Sequence, residues 1–100
     1  MSPMFQDTLS DKLRIFPDLK EKLQKFVNVK IENLISNRYG KHDSPFTGPL
    51  VGFWHAHLRD DAIIIYNLKN RSLHLVAIVS HAEIEGKRAK KMKNKLDQFK

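Results

Sequence analysis

Three short runs of apolar and β-branched residues in the second half of the chain limit the fold more than any other feature of the sequence. They cover residues 50–58, 62–68 and 73–79, and only three or four residues separate one run from the next. Connections this short join antiparallel strands, because parallel strands need a crossover of about a dozen residues or more. The middle run is apolar on both faces, which is typical of a central strand that is covered on both sides. The pattern therefore predicts a three-stranded antiparallel meander.

The first third of the chain has a helical period instead. Its apolar residues recur every three or four positions, between lysine, glutamate, glutamine and asparagine, from residue 17 to residue 35. This spacing predicts an amphipathic helix of about twenty residues that is bent or broken near Asn28. The apolar face would consist of Leu19, Leu23, Phe26, Val27, Ile31, Leu34 and Ile35.

Capping signals and turn residues predict the remaining elements. Asp7 or Thr8 is a candidate cap for a short helix that ends near residue 16. Residues 38–49 have the composition of a loop. Ser80 and Glu83 form a possible capping box at the start of a last helix. The order of elements predicts an α+β fold, with N-terminal helices packed on a small antiparallel sheet and a C-terminal basic helix.

Length and composition exclude several classes of protein. The chain has 100 residues, which is enough for one small domain covering residues 1–100. It has no cysteine, so disulfides, zinc–thiolate sites and thiol nucleophiles are excluded. No apolar run approaches the ~20 residues of a membrane span, and the first residues do not have the pattern of a secretion signal. We therefore expect a cytoplasmic protein with no membrane partner.

The positive charge is concentrated at the C-terminal end. The chain carries a net charge of +7, and residues 87–100 contain seven basic residues and one acidic residue, which leaves a net charge of +6 there. A basic block of this kind favours a polyanionic partner such as nucleic acid. The alternative is a solvated segment that only keeps the protein soluble.

The placement of the histidines is the most informative feature for function. His55 and His57 are two residues apart in one predicted strand, so both should lie on the same face, with Arg59 continuing that face. Asp61 follows in the turn, and His81 follows the third strand. The first and third strands of a meander run parallel, so their C-terminal ends meet at one edge of the sheet. Strand order therefore predicts that His57, Asp61 and His81 lie close together.

Two histidines and a carboxylate beside cationic side chains suit the cleavage of RNA. One neutral imidazole would accept the proton of the ribose 2′-hydroxyl, a protonated partner would donate to the leaving 5′-oxygen, and a cation would stabilise the phosphate. This chemistry requires no metal and no cofactor. The same residues are also a possible metal-ligand set, and strand histidines are often hydrogen-bonded structural residues. The sequence pattern leaves these three interpretations open.

The segment around the first two strands resembles a known family. Residues 47–66 read TGPLVGFWHAHLRDDAIIIY, which resembles the central hairpin of RelE/ParE-superfamily toxins, most closely the YafQ-like branch. The residues after the third strand, His81 and Ala82, also match that branch. The resemblance covers roughly forty residues. It implies a RelE-like fold and the toxin of a type II toxin–antitoxin pair.

The resemblance also implies a mechanism and partners. Such toxins are endoribonucleases that cut mRNA on the ribosome without a metal, and a cognate antitoxin protein silences them. Carried over by position, His57, Asp61 and His81 would be the catalytic residues. The alternative is a binding toxin on the same fold that does not catalyse, such as a gyrase inhibitor, or an RNA-binding module.

Some positions depart from the pattern of that branch. Ala62 stands where a tryptophan is common, Glu85 stands where an aromatic residue is common, and Ser44 replaces a loop histidine. His42, two positions earlier, is a possible substitute. The residues expected to contact RNA, including the ribosomal RNA, are His42, His55, Arg59, Lys87, Arg88 and Lys91.

Overall fold

The computed structural model describes residues 3–34, 43–46, 48–69 and 72–97. The helices are α1 (Pro3–Ile15), α2 (Leu19–Leu34) and α3 (Lys87–Leu96). The strands are β1 (Ser44–Pro45), β2 (Trp54–Arg59), β3 (Ala62–Lys69) and β4 (Ser72–Val79). All pairings are antiparallel and the strand order is β1-β2-β3-β4. The predicted α+β fold with an antiparallel meander is confirmed.

The sheet carries helices on both of its faces. Successive residues of β3 point to opposite faces, so Ile64 and Tyr66 pack with α1 and α2, whereas Ile63 and Ile65 pack with α3. All four side chains are buried. The prediction that the middle strand is covered on both sides is therefore correct.

A β-bulge near the end of β2 changes which face the last residue of that strand occupies. His57 lies opposite Ile63, but Arg59 lies opposite Ala62, so β2 carries one extra residue between the two pairs. A bulge of this kind shifts the alternation of side chains by one position. The prediction that Arg59 continues the face of His55 and His57 is therefore wrong.

The N-terminal helices also differ from the sequence prediction. Helix α1 begins at Pro3, so neither Asp7 nor Thr8 is its cap. The Thr8 hydroxyl instead donates to the carbonyl of Met4 at 2.8 Å and accepts from the N–H of Ile78 in β4 at 2.9 Å. A hydroxyl can do both because it has one proton and two lone pairs. Thr8 thus joins α1 to the outer edge of the sheet.

Helix α2 is continuous through Asn28, where the sequence predicted a bend or break. Its buried stripe also differs, because Ile31 is 55% exposed while Lys30 is buried. Lys30 follows Leu19, Leu23 and Phe26 at helical spacing, and it enters the interior because a carboxylate is there to receive it, as described below. Residue 35, the last residue of the predicted stripe, lies outside the described part of the chain.

The segment before β2 is more structured than a loop. Residues 44–45 form β1, and Phe46 N–H donates to the carbonyl of Phe53 at 2.9 Å. The first predicted strand begins four residues too early, because Gly48–Leu50 is a 3-10 turn and Gly52 has a φ of 103°. The buried Asn67 side chain donates to the Gly52 carbonyl at 2.9 Å and holds this turn against β3.

The last helix begins later than the capping box predicts. Ser80 N–H donates to Oε2 of Glu83 at 3.1 Å, but only a single 3-10 turn, Ala82–Ile84, follows. Gly86, with a φ of 55°, then redirects the chain into α3. No helix in the described part of the chain is long and apolar enough to cross a membrane.

Candidate active site

His81 lies within hydrogen-bond distance of both His57 and Asp61 at one edge of the sheet. His57 is near the end of β2, Asp61 is in the turn between β2 and β3, and His81 is two residues after the end of β4. The Nε2 atoms of His57 and His81 are 3.1 Å apart. Nδ1 of His81 is 3.0 Å from Oδ1 of Asp61. The three side chains form a linear chain of contacts in the order Asp61, His81, His57.

Asp61 holds His81 through both its backbone and its side chain. Oδ1 of Asp61 accepts from the backbone N–H of His81 at 2.9 Å as well as contacting Nδ1. These two hydrogen bonds, the backbone one foremost, lower the pKa of Asp61 below its ordinary value. An ionised carboxylate can only accept hydrogen bonds, so Nδ1 of His81 must carry a proton. The atom that remains available for proton transfer is then Nε2, which faces His57.

The two histidines face each other across their Nε2 atoms. A hydrogen bond between two imidazole nitrogens needs a proton on one of them and a lone pair on the other. The rings are 5.2 Å apart between centroids, and the side chain of His81 is 46% exposed. Two imidazole nitrogens therefore lie side by side, open to solvent, and such a pair is one that general acid–base chemistry on a phosphodiester can use.

His55 lies two positions back along β2 and has a different environment. Its ring stacks on Phe46, with centroids 4.2 Å apart and an angle of 22° between the planes. Burial, and secondarily a charge on nearby His57, lowers the pKa of His55 below its ordinary value of 6.5. His55 is therefore held in its neutral form in the folded protein over part of the range just below pH 6.5.

This environment predicts an acid-sensitive stability. The unfolded chain binds a proton at His55 more readily than the folded chain does. The stability that neutral His55 contributes is therefore fully present above pH 6.5 and is lost as the pH falls from there through the lowered pKa of the folded state. We expect the melting temperature to fall less between about pH 7.5 and about pH 5 in His55→Gln than in the wild type. His74→Gln, at an exposed position of β4, is the control and should retain the wild-type pH dependence. Equal pH dependence in wild type and His55→Gln would contradict the assignment.

Arg59 is engaged away from the histidines. Its guanidinium pairs with Asp18 at 2.5 Å and lies over the ring of Phe16 at 4.5 Å. Phe16 and Asp18 both belong to the connection between α1 and α2. This connection lies on the face of the sheet to which the bulge directs Arg59. The structure thus does not bring Arg59 together with His57 on one face.

Three of the other residues expected to contact RNA belong to α3. Lys87, Arg88 and Lys91 are exposed on α3. His42 lies outside the described residues.

A buried ion pair anchors the segment that leads into β1. Nζ of Lys30 is 2.5 Å from Oδ2 of Asp43, and the two side chains are only 3% and 7% exposed. The Tyr66 hydroxyl also donates to Asp43, and Nζ of Lys30 lies 4.9 Å from the ring centroid of Phe26. No local pattern in the sequence predicts this contact, because Asp43 lies in a segment with loop composition and Lys30 has the character of a surface residue.

A second ion pair holds the segment that carries His81. Oε1 of Glu83 is 3.1 Å from Nζ of Lys12 in α1, while Oε2 accepts from Ser80 N–H. The turn at His81 is therefore attached to α1 on one side and to Asp61 on the other. Among the residues that the structure describes, no group of three or more histidine, aspartate or glutamate side chains is arranged to hold a metal ion.

Two solved structures share this fold. A metal-bound toxin from Helicobacter pylori is 30% identical, with a TM-score of 0.62, and the match covers 84% of this chain and 93% of that one. A histidine-to-glutamine variant of YafQ from E. coli is 23% identical, with a TM-score of 0.69 and coverage of 85% and 93%. The fold is thus the one found in RelE-like toxins.

The identity of 30% to the Helicobacter pylori toxin, over 84% of this chain, shows a relationship that extends beyond the fold. The chain belongs to the RelE-like toxin family. No protein-family model and no curated protein matches the sequence.

Proposed function

We propose that this chain is the toxin of a toxin–antitoxin pair and that it acts as an endoribonuclease on mRNA bound to the ribosome. The observation that supports this most is the exposed chain of contacts from Asp61 through His81 to His57, in which the Nε2 atoms of the two imidazoles lie 3.1 Å apart. A protein that only binds its target has no need of such a pair.

The proposed reaction uses the ribose 2′-hydroxyl of the substrate as the nucleophile. The base removes its proton as the 2′-oxygen attacks the adjacent phosphorus. The bond from phosphorus to the 5′-oxygen breaks, and the acid gives that oxygen a proton. The products are a 2′,3′-cyclic phosphate and a 5′-hydroxyl, and the two histidines have exchanged their protonation states.

We assign the acid role to His81 and the base role to His57. The carboxylate of Asp61 lies at 3.0 Å from Nδ1 of His81 and is ionised, so it stabilises a positive charge on that ring. The imidazolium of His81 can then donate from Nε2, and neutral His57 can accept. Asp61 serves as the positioning residue, because it fixes which nitrogen of His81 is directed at the reaction.

The basic residues of α3 supply the contacts with the RNA backbone in this proposal. Lys87, Arg88 and Lys91 are exposed, and such contacts weaken with salt because each one releases counterions. His55, beside His57, would contact the substrate nucleotide, and His42 and Arg59 would also contact RNA. The partners are mRNA, ribosomal RNA and a cognate antitoxin protein, and the site of action is the cytoplasm, where ribosomes work.

The direct test is cleavage of a defined message on translating ribosomes by the purified protein, with the ends of the fragments analysed. We expect cuts with 2′,3′-cyclic phosphate and 5′-hydroxyl ends. The rate should be the same for untreated protein and for protein that was stripped with EDTA and desalted before it was added to the ribosomes, since the proposed chemistry uses no metal. The EDTA arm is informative because the Helicobacter pylori neighbour is described as metal-bound.

Two outcomes would contradict the proposal. Loss of cleavage after EDTA treatment of the protein, restored when a transition-metal ion is added back to it, would favour the metal-ligand interpretation of the histidines. Growth arrest on expression in a bacterial host, without any cut in mRNA, would favour a toxin that acts by binding.

A further inference from the structure

A groove separate from the row of histidines opens at the outer edge of the sheet. β4 is the last strand in the order β1-β2-β3-β4, and α1 and α3 approach its outer edge from opposite faces. The space between them has a volume of about 360 Å³. That volume lies at the lower end of the range of about 300–1,000 Å³ that is usual for small-molecule sites.

The groove combines an apolar surface with a row of cations. Met4, Val79 and Met92 contribute apolar surface from α1, β4 and α3. Arg88, Lys91 and Lys95 line the same groove from α3, at spacings of three and four residues, so they follow one face of the helix. Arginine and lysine in such a row are well suited to a phosphate group.

Two carboxylates also line the groove. Asp11 belongs to α1 and Glu83 to the 3-10 turn after β4. Glu83 is already paired with Lys12, so Asp11 is the carboxylate that would repel an acidic peptide from this side of the groove. A nucleotide would not be repelled, because its phosphate can contact the cations while an amino group of its base donates to a carboxylate, as cytosine and adenine amino groups do. The apolar surface can contact the flat face of the base.

We propose that this groove is a nucleotide subsite that prefers a base carrying an exocyclic amino group, cytosine or adenine, over uracil. This inference rests on the proposed function for its occupant, a nucleotide of the RNA substrate near the cleaved bond. The subsite lies beside the histidine cluster along the chain, since Val79 and Glu83 are each two residues from His81. It gives the enzyme a means of base selection that does not involve His57 or His81.

The test is an NMR titration, without ribosomes, of the protein of residues 1–100 with CMP, AMP, UMP and inorganic phosphate. We expect CMP and AMP to bind at least about 5-fold more tightly than UMP and inorganic phosphate, and the shifted signals to lie at the groove. Arg88→Ala/Lys91→Ala should weaken CMP binding about 10-fold or more, which corresponds to about 1.4 kcal/mol.

Lys90→Ala/Lys93→Ala is the matched control. It removes the same two positive charges from exposed positions of the same helix that do not line the groove. CMP binding should stay within about 2-fold of wild type. This small effect is the weaker long-range attraction of the ligand, which both double substitutions cause because each removes two positive charges. Asp11→Asn should reduce the preference for CMP over UMP, because the negative charge that accepts from the amino group of cytosine is lost. Phosphate binding should be retained, because the amide has the same size and the cations of α3 are unchanged.

Three results would overturn the subsite. They are equal affinity for UMP and CMP, equal weakening by the two double substitutions, and tighter binding of a glutamate-rich peptide that displaces CMP. None of these depends on cleavage. If the protein binds CMP in the groove but does not cut mRNA, the subsite is supported and the proposed reaction is refuted. If it cuts mRNA but does not bind CMP in the groove, the reaction is supported and the subsite is refuted.

Discussion

His81→Ala is expected to lower the rate of mRNA cleavage on ribosomes by about 10²–10⁴-fold, the usual contribution of a positioned acid or base. The loss should appear in kcat, because the side chain acts on the leaving oxygen rather than on substrate binding. The fold should survive, because the backbone N–H of His81, which donates to Asp61 at 2.9 Å, is unchanged. The measurement is single-turnover cleavage of a defined message, with the melting temperature of each protein recorded alongside.

His74→Ala is the matched control for that experiment. It removes an exposed histidine from β4, the strand that precedes His81, opposite Asn67 in β3. We expect its cleavage rate to stay within about 2-fold of wild type, since surface substitutions of this kind have small effects. Cleavage by His81→Ala at the wild-type rate would remove His81 from the chemistry and with it the proposed acid.

Lys30→Met is expected to destabilise the protein by about 3–5 kcal/mol, because it leaves the carboxylate of Asp43 buried without its partner. Methionine has a similar unbranched shape, so the loss would arise from the charge rather than from a cavity. A domain of this size has a total stability of about 5–15 kcal/mol, so the variant should be marginal. Urea unfolding followed by circular dichroism measures the change.

Two further variants separate the ion pair from general effects. Lys25→Met replaces an exposed lysine of the same helix, and its stability should stay within about 0.5 kcal/mol of wild type. Lys30→Met/Asp43→Asn removes both charges and retains an oxygen for the Tyr66 hydroxyl, so its loss should be smaller than the sum of the two single losses. Additive losses would mean that Lys30 and Asp43 do not stabilise each other.

Much of the fold could be read from local patterns. The three strands followed from short gaps between apolar runs, and the double burial of β3 followed from an apolar stretch without polar alternation. The boundaries were less accurate, because turns such as the one at Gly52 depend on contacts with distant residues. β1 was missed entirely, since two residues paired at Ser44 and Pro45 carry too little pattern to predict a strand.

The placement of the candidate site followed from the order of the strands alone. Consecutive antiparallel strands bring the end of β2, the start of β3 and the end of β4 to one edge, whatever the details of packing. The face of Arg59 could not be obtained in this way, because a single extra residue in β2 moves every later side chain to the other face. Nothing in the local sequence marks that bulge.

The sequence by itself determined the elements that repeat along the chain: the apolar periods of α2 and β2–β4, the basic face of α3 and the positions of the histidines. Only the tertiary structure decided the contacts between residues far apart: Lys30 with Asp43, Arg59 with Asp18, Thr8 with Ile78, and the groove between α1 and α3. Periodicity is a local property that each segment carries, whereas the burial of a charge or the shift at a bulge depends on which distant partner is present. That partner is chosen when the layers pack against each other.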